Sequence, residues 1–382
     1  MGFAYITPEQ LEGFDGYKYS SKDTSPLSNY VMHPFWNATV KLFPRWIAPN
    51  LLTLTGFLFL VSQTLIFSHH DPLFLKGGMN DEIESWIWFY GAFAHFMAHT
   101  LDGIDGKQAR RTGSSGPLGE LFDHGLDAWS TSLFVLNIFT AVGPLFSSND
   151  RMIILWLSMF NFMCSHWEKY NTGLLYLPWA YDASMVFFFV IYIIAGFAGT
   201  KFLGAQIIGS MTIISIFKVV FYLGTVFSVL MCVRNVLFVW RKGTCKQKSL
   251  YECFRPWASL LIAAVLILTW AYNLTNYDVN GQCPRLVLGF SGIIFANIAC
   301  RLIVVQMSNT RAEIITPLFV PLLAGIASTS LVLPMVYLAR PIWTITFGIC
   351  LIMHIHYGMG VVHALATYLN IRVFKIIPTK TD

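Results

Sequence analysis

Ala98-His99-Thr100-Leu101-Asp102-Gly103-Ile104-Asp105-Gly106-Lys107-Gln108-Ala109-Arg110 closes one apolar stretch, and Gly119-Glu120-Leu121-Phe122-Asp123-His124-Gly125-Leu126-Asp127 opens the next. A helix needs about 20 apolar residues to cross the hydrocarbon core. Residues 85–103 and 119–146 therefore read as consecutive membrane spans, with four aspartates at their shared edge. The rest of the chain agrees: 55% of its residues are hydrophobic and only 12% are charged, about half the charge of a soluble domain. The fold class is all-α, a polytopic membrane protein.

Reading outward gives about ten spans: 50–68, 85–103, 119–146, 152–168, 184–200, 207–239, 256–273, 286–306, 316–338 and 343–369. They form one transmembrane domain over 50–370, preceded by a segment 1–49 and followed by a tail 371–382. Pro321 and Pro334 inside the ninth span are tolerable where neighbouring helices satisfy the freed backbone groups. Basic residues of short loops mark the cytosolic side. Lys107, Arg110 and Arg111 follow the second span, and Arg241, Lys242, Lys246, Lys248 and Arg255 follow the sixth. Arg372, Lys375 and Lys380 lie in the tail, whereas the first intervening loop is acidic, with Asp71, Asp81, Glu82 and Glu84. With ten spans all three basic segments share one side, so both termini and the aspartates are expected to face the cytosol. The net charge of +5 sits in membrane-flanking loops, which argues against nucleic acid as a partner.

The seven cysteines show no metal-ligand spacing and read as small core residues. The first 30 residues lack the apolar core of a secretory signal. Aromatics scattered among charges before residue 49, including Tyr17, Tyr19, Trp36 and Trp46, suit either an interfacial segment on the headgroups or a soluble cap.

Asp102 and Asp105 are three residues apart and Asp123 and Asp127 four apart, so on helices each pair shares a face. Close carboxylates repel unless a cation lies between them, and ionised acids are costly at a membrane. Hard oxygen donors select Mg2+, Mn2+ or Ca2+ over zinc. Mg2+ takes its remaining ligands from water and substrate phosphates, which points to a diphosphate substrate. Lys107, Arg110 and Arg111 are placed to complement its charge. Gly106 reads either as a close approach of ligand to backbone or as a turn.

Written out, Asp102 to Asp127 is D-x2-D-G-x2-A-R-x8-G-x3-D-x3-D. This resembles the signature of the CDP-alcohol phosphotransferases, integral membrane enzymes that make phospholipid head groups. Tyr30 to Asn37, Ala48-Pro49-Asn50, Ser165 to Gly173 and His354 to Gly358 are similar to the eukaryotic choline/ethanolamine branch. Phe14-Asp15-Gly16-Tyr17-Lys18-Tyr19 and Val31 to Pro34 resemble its ethanolamine-specific, selenoprotein-type members. The resemblance covers nearly the whole chain.

The resemblance implies transfer of phosphoethanolamine from CDP-ethanolamine to diacylglycerol or alkyl-acylglycerol, releasing CMP, with CDP-choline as the alternative donor. It also implies two Mg2+ or Mn2+ ions, held by Asp102, Asp105, Asp123 and Asp127, with Asp102 and Asp123 touching both. His124 would be the general base for the lipid hydroxyl and Glu120 would orient it. Alternatively His124 bonds a metal-ligating aspartate from behind and Asp127 takes the proton. Asn50, Gly106, Ala109, Arg110, Gly113 and Gly119 would contact the CDP-alcohol. Asn50 reads equally as a helix cap, and Gly113, where relatives carry Asn, leaves only a backbone contact. Glu168, Lys169 and Asn171 are candidates for the amine, with His354 or His356 lining the same cavity. Membrane lipid, a homodimer through later spans, and an endoplasmic reticulum or Golgi location also follow from the resemblance. An intramembrane prenyltransferase would place its two Asp-rich motifs far apart. A cation transporter would show repeat symmetry, which the sequence lacks.

Overall fold

The computed structural model describes residues 5–177, 179–272, 279–331 and 338–376, so Pro334, Lys380 and the end of the ninth expected span lie outside the described residues. Two short helices, α1 (Pro8–Gly13) and α2 (His33–Thr39), precede the bundle. Then follow α3 (Pro49–His70), α4 (Ser85–Thr112), α5 (Pro117–Val142), α6 (Ser148–Thr172), α7 (Ala180–Ala198) and α8 (Ile213–Arg241). A one-turn α9 (Leu250–Phe254) leads into α10 (Pro256–Tyr272), and a second, α11 (Val279–Gln282), into α12 (Pro284–Ser308). The last two are α13 (Phe319–Leu331) and α14 (Ala339–Tyr368).

Among the described residues, ten of these helices coincide with the ten expected spans. Six are long and apolar enough to cross a membrane: α3, α5 with its following turn, α7, α8, α12 and α14. α4 and α6 are as long but carry the polar residues of the site, while α10 and α13 are shorter.

Local chemistry explains the ends. Pro49, Pro117 and Pro284 sit in the first turns of their helices, where a missing N–H costs nothing. Ser147 and Asp150 form a capping box on α6. α4 stops at Gly113 and α6 at Gly173, both with left-handed φ, +67° and +81°.

One expectation is corrected here. Lys107, Arg110 and Arg111 are not in a loop, because α4 runs on to Thr112 before Gly113 ends it. Hydropathy marks only where the apolar stretch stops, whereas the helix persists until a residue favours leaving it.

α12 is the hub, packed by α5, α6, α10 and α14 and almost wholly buried. α6 and α8 run parallel, Asp150 meeting Lys218, Asn161 meeting Thr225 and Glu168 meeting Asn235. All three basic segments gather at the aspartate end. Lys246 bonds Asn171 at the end of α6, and Val373 bonds Asn50 at the start of α3. The acidic loop lies at the other end, where Asp81 caps Thr200 and the Asp71 backbone accepts from Arg285.

The segment before α3 packs on the bundle. Phe14 and Trp36 are buried, while Leu42 and Trp46 stay 81% and 76% exposed. A parallel pair of short strands, β1 (Ser21–Lys22) and β2 (Leu175–Tyr176), ties it to the end of α6. A second small pair, β3 (Gln206–Ile208) and β4 (Met211–Thr212), precedes α8. The Trp36 indole lies where a Cβ on Gly103 would go. Gly103→Ala should therefore displace α2 from α4 and destabilise by about 1–3 kcal/mol, read as a lower thermal midpoint in detergent; an unchanged midpoint would refute this packing.

Candidate active site

Helical spacing puts Asp102, Asp105, Gly106 and Ala109 on one face of α4, and Glu120, Asp123, His124 and Asp127 on one side of α5. The two faces meet. One carboxylate oxygen from each of Asp102, Asp123 and Asp127 lies within 4.8 Å of the other two. Asp105 stands close enough to feel the charges of Asp102 and Asp123, but is tied sideways, its Oδ2 accepting from Thr53 Oγ1 at 2.5 Å. Tyr181 donates to Asp102 Oδ2 at 3.4 Å. Asp123 Oδ1 is buried without a hydrogen-bond partner among the described residues. Three convergent hard donors, one buried and unsatisfied, fit a divalent cation.

His124 is buried beside this cluster. Its Nε2 is 3.9 Å from Asp123 Oδ2 and its Nδ1 is 3.6 Å from Glu120 Oε1, too long for a hydrogen bond. Glu120 is instead held from other elements: Tyr17 donates to Oε1 at 2.5 Å, and Lys169 pairs with the same oxygen. Burial, reinforced by the Glu120 charge, keeps the Tyr17 hydroxyl far above its ordinary pKa, so it remains a donor. The His166 ring sits edge-on to His124 at 5.4 Å and is itself fixed by Gln306 Nε2 at 3.0 Å.

The mouth of the site is lined by small groups. Among the described residues, a Cβ on Gly106 would find only the Arg110 guanidinium, at 3.6 Å, and one on Gly119 only Asn50 Oδ1, at 3.7 Å. Ala109 continues the same face, and Gly113 ends the helix with nothing among the described residues within 4 Å of its missing side chain. Asn50 does not cap α3; its Nδ2 donates to Val373 O at 2.9 Å, so the chain's own C-terminal segment lies across the mouth, with Phe374 against Phe122.

Two of the three expected diphosphate partners turn elsewhere. Lys107 bonds Asn37 Oδ1, and Arg111 caps the carbonyls of Val40 and Phe43, anchoring the N-terminal segment and leaving Arg110. The expected amine cluster also disperses. Glu168 accepts from Asn235 on α8, and Asn171 bonds the backbone of Trp167 and Cys253. His354 packs on Trp129 and Asn297, whereas His356 bonds Tyr5. Reasoning from sequence missed Thr53, Tyr181 and the role of Tyr17, because each meets the site across a large chain separation. A small cleft beside the carboxylates is lined by Thr53, Gly56, Asp102, Asp127, Ser130 and Tyr181.

A bundle of spanning helices around convergent carboxylates, with a buried histidine beside them, defines an integral membrane enzyme of the metal-dependent phosphotransferase class. The chain belongs to the CDP-alcohol phosphatidyltransferase family, whose profile matches residues 46–288. It is 40% identical to ethanolaminephosphotransferase 1 of Mus musculus over 394 residues, covering all of this chain and 97% of that one. It is 28% identical to choline/ethanolaminephosphotransferase 1 of Saccharomyces cerevisiae over the full length of both. Cholinephosphotransferase 1 of the same yeast is 41% identical over 181 residues, 46% of this chain and 43% of that one. The chain is thus a phosphotransferase acting on a CDP-alcohol and a lipid acceptor.

Proposed function

We propose that this enzyme transfers phosphoethanolamine from CDP-ethanolamine to the free hydroxyl of diacylglycerol or alkyl-acylglycerol, giving the ethanolamine phospholipid and CMP. The observation that carries the head group is the end-to-end similarity to the ethanolaminephosphotransferases of vertebrates. The catalytic domain is assigned to residues 50–370, assisted by the segment before it.

Asp102, Asp105, Asp123 and Asp127 would hold two Mg2+ or Mn2+ ions, with Thr53 fixing Asp105 and Tyr181 fixing Asp102. When bound, such ions neutralise the diphosphate and stabilise charge on the departing CMP. Asn50, Gly106, Ala109, Gly113 and Gly119 would leave room for the nucleotide, and Arg110 would face its phosphates. Binding there requires the Asn50–Val373 bond to open. The acceptor hydroxyl would approach through the cleft beside Asp127. His124 would take its proton as the oxygen attacks the phosphorus that bears ethanolamine, and the bond to CMP breaks.

The decisive assay uses purified protein in detergent with CDP-ethanolamine and CDP-choline in competition. CMP release that depends on diacylglycerol and favours CDP-ethanolamine is expected; preference for CDP-choline would transfer the assignment to that donor. Chelation with EDTA should remove all CMP release, and Mg2+ or Mn2+ should restore it. Turnover in excess chelator would refute the metal assignment.

An endoplasmic reticulum or Golgi membrane, with the site on the cytosolic face, completes the proposal. A homodimer through the later spans is part of the same proposal.

A further inference from the structure

We infer that Lys169 and Tyr17 are positioning residues for the reaction: together they clamp Glu120 into line with His124, which makes the N-terminal segment part of the active site. The inference rests on the assignment of His124 as base. Glu120 lies one turn before His124, yet the helix alone leaves the two side chains 3.6 Å apart. What orients the carboxylate comes from outside α5. Tyr17 donates to Glu120 Oε1 at 2.5 Å, Lys169 pairs with that same oxygen, and Lys169 Nζ also donates to the Tyr17 hydroxyl at 2.8 Å.

Lys169 and Tyr17 are each fixed independently of Glu120. The Lys169 side chain is 4% exposed and that of Glu120 7%, and a buried ion pair resists losing either partner because the other is left uncompensated. Lys169 occupies the last turn of α6, held by Gly173 and by the backbone bond from Lys246 to Asn171. Tyr17 is delivered by a chain anchored on one side by buried Phe14 and on the other by the strand pair Ser21↔Leu175. The Lys169 ammonium also lies over the Tyr17 and Tyr19 rings, at 5.5 and 5.4 Å.

This arrangement leaves Lys169 engaged with protein groups rather than open to substrate phosphates. It also leaves Glu120 Oε2 and His124 Nδ1 buried and unpartnered among the described residues. A shift of a few tenths of an ångström brings the clamped carboxylate into hydrogen-bond range of Nδ1–H, as catalytic contacts that are long at rest tighten on reaction. His124 is then fixed in the tautomer that presents a basic Nε2 toward the carboxylate cluster.

The test uses full-length enzyme in detergent with Mn2+. Lys169→Met should lower kcat roughly 10–100-fold, the scale for groups that orient a ligand or base, with the KM for CDP-ethanolamine unchanged. Lys169→Arg should recover most of it. Tyr17→Phe, which deletes one hydroxyl, should lower kcat about threefold to tenfold; an unchanged kcat would remove Tyr17 from the clamp even if the Lys169→Met protein fails to fold. In a His124→Ala background Lys169→Met should cost nothing more, since residues acting as a unit are non-additive. A raised KM at unchanged kcat would instead make Lys169 a substrate ligand and overturn the inference. A full multiplicative loss in the His124→Ala background would overturn it too. Retained turnover by His124→Ala alone would refute the base assignment itself, a separate failure.

Discussion

Asp123→Asn will reduce kcat by on the order of 10^3-fold or more while leaving the protein folded. The change conserves shape and removes only charge, so it tests the electrostatic role directly. Asp123 shares the three-carboxylate cluster with Asp102 and Asp127, and among the described residues its Oδ1 has no hydrogen-bond partner. A bound dication contributes several kcal/mol to a phosphoryl-type transfer, and about 4 kcal/mol is a thousandfold in rate. Asp102 and Asp105, by contrast, have Tyr181 and Thr53 to hold them, so Asp123 depends more on a cation than either of those two. CMP release at saturating Mn2+, beside a monodispersity check in detergent, measures the effect. Activity within tenfold of the parent enzyme would exclude Asp123 as a metal ligand.

The second large effect is expected from His124→Ala. General acid–base groups contribute typically 10^2–10^4-fold, and the alanine enzyme should lose that much turnover. It should still bind CDP-ethanolamine and Mn2+ with affinities near the parent values, because no nucleotide contact is assigned to the imidazole and its Nε2 stands 3.9 Å from Asp123. Equilibrium binding of labelled CDP-ethanolamine and Mn2+ titration separate the two roles. Weakened Mn2+ affinity with a modest rate loss would make His124 a support for Asp123 and leave Asp127 to take the proton. Near-normal turnover would dismiss both roles.

The likeness to vertebrate ethanolaminephosphotransferases extends to both ends of the chain. That matters physically, because the segment before the first span is not a passive cap. Tyr17 reaches Glu120 across 103 residues of sequence. At the other end Val373 occupies the Asn50 amide, so both terminal segments converge on the mouth of the site.

Much of this architecture was legible in the residues alone. Length and apolarity located ten helices, six of which among the described residues are long and apolar enough to cross a membrane, since crossing hydrocarbon requires about 20 apolar residues whatever the neighbours are. The basic residues placed three segments at one end, and contacts such as Lys246 with Asn171 bring them there, although Lys107, Arg110 and Arg111 lie on α4 rather than in a loop. The i, i+3 and i, i+4 spacing of the aspartates fixed their faces, because helix geometry is local. What the sequence could not decide was direction across space. Lys107 and Arg111 looked like phosphate partners but bond the N-terminal segment. Glu168 looked like an amine ligand but turns to α8. Glu120 was matched to His124 by spacing, yet its oxygen is held by Tyr17 and Lys169. Each of these choices depends on which helix packs beside which, a property of the folded bundle that no local periodicity records.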